Sequence, residues 1–170
     1  NCSAKIAEIY MTTGQNELAL ERFKLIIDPL VAKGENTKII KLYERFLDVC
    51  SEEGNARLPL ARALLHSGSF DKAVLILKSL IKHSPANPEI NLCLTDAYVA
   101  GQDFANARLT LNHLLKKNEE DLDLQQYYVR VCIDAGETEK DLDRLESLKD
   151  ALFQADRVAV LQKFYEELTS

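Results

Sequence analysis

No tryptophan occurs among the 170 residues, and no apolar run approaches the roughly 18 residues that would span a bilayer. Residues 1–10 lack the charged-then-apolar order of a secretion signal, so the sequence predicts no membrane insertion. A basic excess is also missing. Lysine and arginine number 21 against 27 aspartates and glutamates, a net charge of -6 with a pI near 5.2, which argues against a non-specific binder of nucleic acid or anionic membrane. Cys2, Cys50, Cys93 and Cys132 form no C-x-x-C pair, and His66, His83 and His113 are equally scattered, so neither set has metal-ligand spacing. Reduced cysteines of this kind fit a cytoplasmic setting. There is no glycine-rich phosphate loop, no H-E-x-x-H and no G-x-S-x-G. The chain is expected to be no enzyme and to carry no cofactor and no metal. Asn1 stands where a methionine would open a complete protein, which predicts a fragment of a longer one.

What the chain has instead is a module. Residues 55–88 read as two helices and a turn. Ala61 and Leu64 face inward on the first helix, Gly68 breaks it, Ala73, Leu77 and Leu80 form the inward stripe of the second, and Pro85 and Pro88 close the unit. Steps of 34 residues repeat it. The second helix gives the columns Ile39, Ala73, Ala107, Asp141, then Tyr43, Leu77, Leu111, Leu145, then Phe46, Leu80, Leu114, Leu148. The first helix gives Ile26, Leu60, Leu94, Tyr128, then Ile27, Ala61, Thr95, Val129, then Leu30, Leu64, Tyr98, Cys132.

Taken in order, residues 3–13 predict a helix with Ile6, Ala7, Ile9 and Tyr10 on one face, stopped by Gly14. The helix starting near Asn16 fits two repeats at once, and Pro29 predicts a kink or break between Ile26 and Leu30. Pro59 is placed in the first turn of its helix, where a lost N–H matters little. Asn87, Asp103 and the acidic run 119–123 mark helix starts. Asp141 falls in a column otherwise held by alanine or isoleucine, so either the register slips to place Leu142 inward or the last pair packs loosely. Val158, Leu161, Phe164, Tyr165 and Leu168 share one side of a terminal capping helix.

The period, the helix-turn-helix content and the small residue opening each second helix resemble the tetratricopeptide repeat (TPR), in a bacterial-type array. The resemblance implies an all-α, right-handed α-solenoid of antiparallel helix pairs, about ten helices in a single domain over residues 1–170. Its units are a first one at 3–33 that shares a helix with 16–53, then 54–87, 88–121 and 122–153, with a capping helix at 156–168. It further implies a protein–protein interaction scaffold or adaptor of a regulatory or assembly system, holding a peptide or protein segment against the concave side that first helices line. On this sequence those inner positions read Asp28, Arg62, Asp96, Arg130, then Val31, Leu65, Val99, Ile133, then Ala32, His66, Ala100, Asp134, with Lys24 one turn before Asp28. The candidate groove residues are therefore Lys24, Asp28, Arg62, Leu65, His66, Asp96, Val99, Arg130, Ile133 and Asp134. Arginine forks beside an apolar strip can hold carboxylates or carbonyls. Equally, Asp and Arg on adjacent helices can pair and merely tie repeats together. The subtype that clamps chaperone C-termini is not matched, because Asp28 and Asp96 would repel a carboxylate. The alternative to a peptide groove is a structural homodimer through the repeat ends, with Phe164 and Tyr165 as its contact residues.

Overall fold

Helix caps decide where this chain starts and stops its elements. A computed structural model describes residues 2–50, 54–136 and 138–169; the side chains of 54, 55, 138–144, 168 and 169 lie outside the description, and with them the questions of Asp141, Leu142 and Leu168. The described residues form helices α1 (Cys2–Thr12), α2 (Asn16–Ala32), α3 (Asn36–Val49), α4 (Gly54–His66), α5 (Phe70–His83), α6 (Pro88–Ala100), α7 (Phe104–Leu115), α8 (Leu122–Asp134), α9 (Thr138–Gln154) and α10 (Val158–Thr169), with no strand among them. Asn87 Oδ1 accepts from the amides of Glu89 at 2.9 Å and Ile90 at 3.3 Å, opening α6. Asp103 accepts from the Asn106 amide, and Asp121 from those of Asp123 and Leu124, in the same way. None of these helices is long and apolar enough to cross a membrane.

Four helix ends share a left-handed residue at the repeat period: Gly34, Gly68, Gln102 and Gly136, with φ of 66°, 79°, 60° and 72°. After α2 the Glu35 amide reaches back to the Leu30 carbonyl and the Gly34 amide to Val31; after α6 Asp103 and Gln102 do the same to Tyr98 and Val99. Glycine meets that backbone without strain, whereas Gln102 does not.

The chain divides into two compact units, residues 1–93 and 94–170. In the first, α2 packs on α1 and α3, α3 on α4, and α4 on α5. Ala19, Leu20, Phe23 and Ile27 are all buried on α2, and Phe23 meets Phe46 edge-on with ring centroids 5.6 Å apart. Ala73 is fully buried, and its small side chain lets α5 approach closely. In the second unit α8 packs on α7 and α9, and α10 on α9 and α8, around Val129, Leu145, Leu148, Leu152, Leu161 and Phe164. Leu161 and Phe164 bring α10 into this core.

Three local expectations are corrected. Of the kink or break expected at Pro29, the break is absent, since α2 runs on to Ala32; Pro29 is exposed, so the Leu25 carbonyl that loses its partner is left on the solvent side. Pro59 is the sixth residue of α4, one turn deeper than expected, because Gly54 and Asn55 are already helical. On α1 the buried pair is Ala7 and Met11, while Ile9 is 59% exposed, so the inward face is rotated from the expected one.

Candidate functional site

Within the first unit the ends of α2, α3 and α4 leave a cavity of about 360 Å³ lined by Ile27, Val31, Gly34, Asn36, Ile39, Tyr43, Pro59, Arg62, Ala63 and His66. Its origin is local. Gly34 turns the chain from α2 to α3, and Pro59 and Ala63 present little side chain on α4, so the walls are apolar while the inner columns place Arg62 and His66 at the rim. Val31 is 58% exposed there. The His66 ring donates through Nδ1 to the Arg62 carbonyl at 2.7 Å, since a carbonyl only accepts; Asn36 Nδ2 donates to the His66 carbonyl at 3.2 Å and pins α3 to the end of α4. Burial, and secondarily the charge of Asp28, push the Tyr43 hydroxyl above its ordinary pKa, so this wall residue stays neutral.

Arg62 does not pair with an aspartate of its own column. Its Nη2 donates to Glu89 Oε1 at 2.7 Å, a carboxylate in the first turn of α6, with both side chains about half exposed at 50% and 56%. Such a pair is worth about 0–1 kcal/mol and opens readily. Of the expected groove residues this unit thus brings together Arg62 and His66 with Val31 of the apolar column. Lys24, Asp28 and Leu65 are not among the lining residues, although Asp28 acts on Tyr43.

In the second unit the equivalent positions are engaged in structure. Tyr127 donates to Asp96 Oδ1 at 2.5 Å, and burial, that hydrogen bond and the charges of Asp96 and Asp134 all drive its pKa up, burial most. Arg130 is ion-paired to Glu167 and lies 5.0 Å over the Phe164 ring, which fastens α10 to α8. Arg130 is therefore an internal tie. Val99 and Ile133 are half-buried and Asp134 is exposed. Phe164, expected as a dimer contact, is 2% exposed beneath this arrangement. Tyr165 instead donates to Glu146, whose carboxyl it holds below the ordinary range together with Lys149.

Reading first helices alone missed the α3 wall, Ile39 and Tyr43, and it missed Glu89. The pairs Asn16 with Cys50 and Asp123 with Arg157 do fall 34 apart and could have been found from the period. Arg62 and Glu89 are 27 apart, and nothing periodic signals them. Among the described residues no three His, Cys, Asp or Glu side chains cluster as metal ligands, and Cys50, Cys93 and Cys132 are buried and in no disulfide.

Residues 70–126 match the tetratricopeptide repeat family model. None of the curated proteins gives a significant match. Among solved structures the chain is similar to MamA, residues 41 to the end, from Desulfovibrio magneticus RS-1, at 13% identity over 88% of this chain and 92% of that one, with a TM-score of 0.65. It is also similar to the nearly identical TPR-like repeats of a protein from Podosopora anserina described as a kinesin light chain, at 16% identity over 98% and 84%, with a TM-score of 0.63. At these identities the likeness is one of fold.

Proposed function

We propose, for a chain that is a tetratricopeptide-repeat protein by its family match over residues 70–126 and by its fold, that it binds an extended or helical segment of another protein against its first helices. The repeat fold supports an interaction scaffold in general. The finer reading takes the repeats as 16–53, 54–87, 88–121 and 122–153, with residues 3–33 sharing α2, and takes the chain as a recruitment adaptor in a regulatory or assembly system. The observation that carries it is the cavity where Val31, Arg62 and His66 meet: an apolar, concave site with a few convergent polar groups is what small recognition sites are made of. The candidate contacts are accordingly Arg62, His66 and Val31, with Asp28 beside them, while Arg130 is set aside as a tie.

A photo-crosslinking amino acid at Val31, and for comparison at Leu75, which is 69% exposed on α5, tests this in the native cell. The expected outcome is a partner captured from position 31, absent from position 75 and lost when Arg62→Glu is added. Equal capture from both positions would end the groove reading. Capture of the chain's own sequence from position 31 would put the homo-oligomer in its place.

A further inference from the structure

Glu89 already holds a carboxylate against the one charged side chain that lines the cavity. It comes from α6, which contributes no lining residue, and the pair it makes is half exposed on both sides. The lining itself contains no carboxylate: its members with polar side chains are Arg62, His66, Asn36 and Tyr43. Asp28 lies close enough to act on the wall residue Tyr43 and opposes an acidic visitor, so the attraction for one must come from Arg62. Residues 1–93 carry 12 lysines and arginines against 11 aspartates and glutamates, whereas residues 94–170 carry 9 against 16, so the acidic excess of the chain lies outside the unit that holds the cavity.

We infer that the occupant is an internal peptide segment with a bulky apolar residue two positions from an Asp or Glu, and that Glu89 is an intramolecular competitor which the ligand's carboxylate displaces from Arg62. This rests on the groove reading above and specifies its ligand. The apolar side chain enters between Ile27, Ile39, Tyr43 and Pro59. In an extended segment residues two apart lie on one side about 7 Å from each other, so one can fill the apolar part of the cavity while the other faces Arg62, which lines the same cavity. A side-chain carboxylate is favoured over a chain terminus because a side-chain carboxylate is what Arg62 already donates to. The exchange swaps one weak, exposed ion pair for another. It therefore adds selectivity for acidic segments more than raw affinity, and removing Glu89 should sharpen that selectivity.

The test uses the whole chain and fluorescein-labelled octapeptides with amidated C-termini. One set carries a central Leu, Phe or Met two positions from Asp or Glu, a matched set has Asn or Gln there, and a third has Lys; binding is read by anisotropy. Native protein is expected to prefer the acidic set to the amide set by about twofold, Glu89→Gln to raise that ratio to about fivefold, and Arg62→Gln to bring it to one or below. All three proteins should keep the same far-UV circular dichroism, since both positions are exposed. Val31→Lys, at the rim, should weaken every set. If peptides bind, Val31→Lys removes them, and the ratio does not move in Glu89→Gln, the competitor inference is overturned while the groove reading stands. A preference for the amide or Lys sets, or binding that requires a free C-terminal carboxylate, overturns the ligand assignment. No binding by any set at millimolar peptide overturns both.

Discussion

Tyr127 keeps its proton well past the ordinary tyrosine range because it is half-buried and because Asp96 accepts its hydrogen bond. A group whose pKa is raised by folding contributes stability below its unfolded value, about 10 for tyrosine, and loses that contribution as pH climbs toward the folded value. Urea midpoints should therefore fall between about pH 10 and 11.5 in the native chain. Tyr127→Phe should fall less over the same interval, although it starts lower at pH 7 for want of the hydrogen bond; parallel curves would contradict the assignment. At fully buried apolar positions the cost is one of volume. Leu77 and Leu111 are 0% exposed, so truncating either to alanine should lower unfolding free energy by about 2–5 kcal/mol, measurable in the same titration. These columns were legible in the sequence because burial repeats with the period. Ile9 was not, because one apolar residue beside Ala7 and Met11 cannot say which way a three-turn helix faces.

The ends of helices carry their own tests. Gln102 occupies the left-handed position that glycine holds at 34, 68 and 136, so Gln102→Gly should raise stability by about 0.5–1 kcal/mol. Gly34→Ala should lower it by a similar amount even though a Cβ there would meet nothing within 4 Å, because the strain lies in the backbone. Thermal melts of the two variants should move in opposite directions. For α10 the anchor is Phe164 under Arg130. Phe164→Ala should cost about 3–5 kcal/mol and speed amide exchange along α10 ahead of α7; uniform acceleration would mean that α10 is no separate element. Most starts and stops were readable, since Asn87, Asp103 and Asp121 cap by chemistry that acts within three residues. The prolines misled. Whether Pro29 breaks a helix depends on which side the orphaned carbonyl faces, and that is settled by packing from α1 and α3 rather than by the local sequence.

Across the whole chain, charge and period are distributed unevenly. The acidic excess of residues 94–170 implies self-repulsion that salt relieves, as the screening length shrinks from about 30 Å at 0.01 M to about 8 Å at 0.15 M. Amide exchange in α8 and α10 should slow over that range more than in α4 and α5; an equal response would assign the excess no energetic role. The site was half legible. The columns found Arg62, His66 and Val31, since inner positions recur with the repeat. They could not find Ile39 and Tyr43, which belong to the core columns of second helices, nor Glu89, which answers Arg62 at 27 residues. They also could not tell Arg62 from Arg130, because the difference lies in α10, whose Glu167 and Phe164 engage Arg130. That odd spacing of 27 bears on how such an array could grow. Were residues 54–87 duplicated in tandem, the earlier copy of Arg62 would find Asn55 of the next copy where Glu89 now stands, and only the later copy would keep its carboxylate. A longer descendant would thus gain an unguarded arginine along with its extra helices, and its preferences would change with its length.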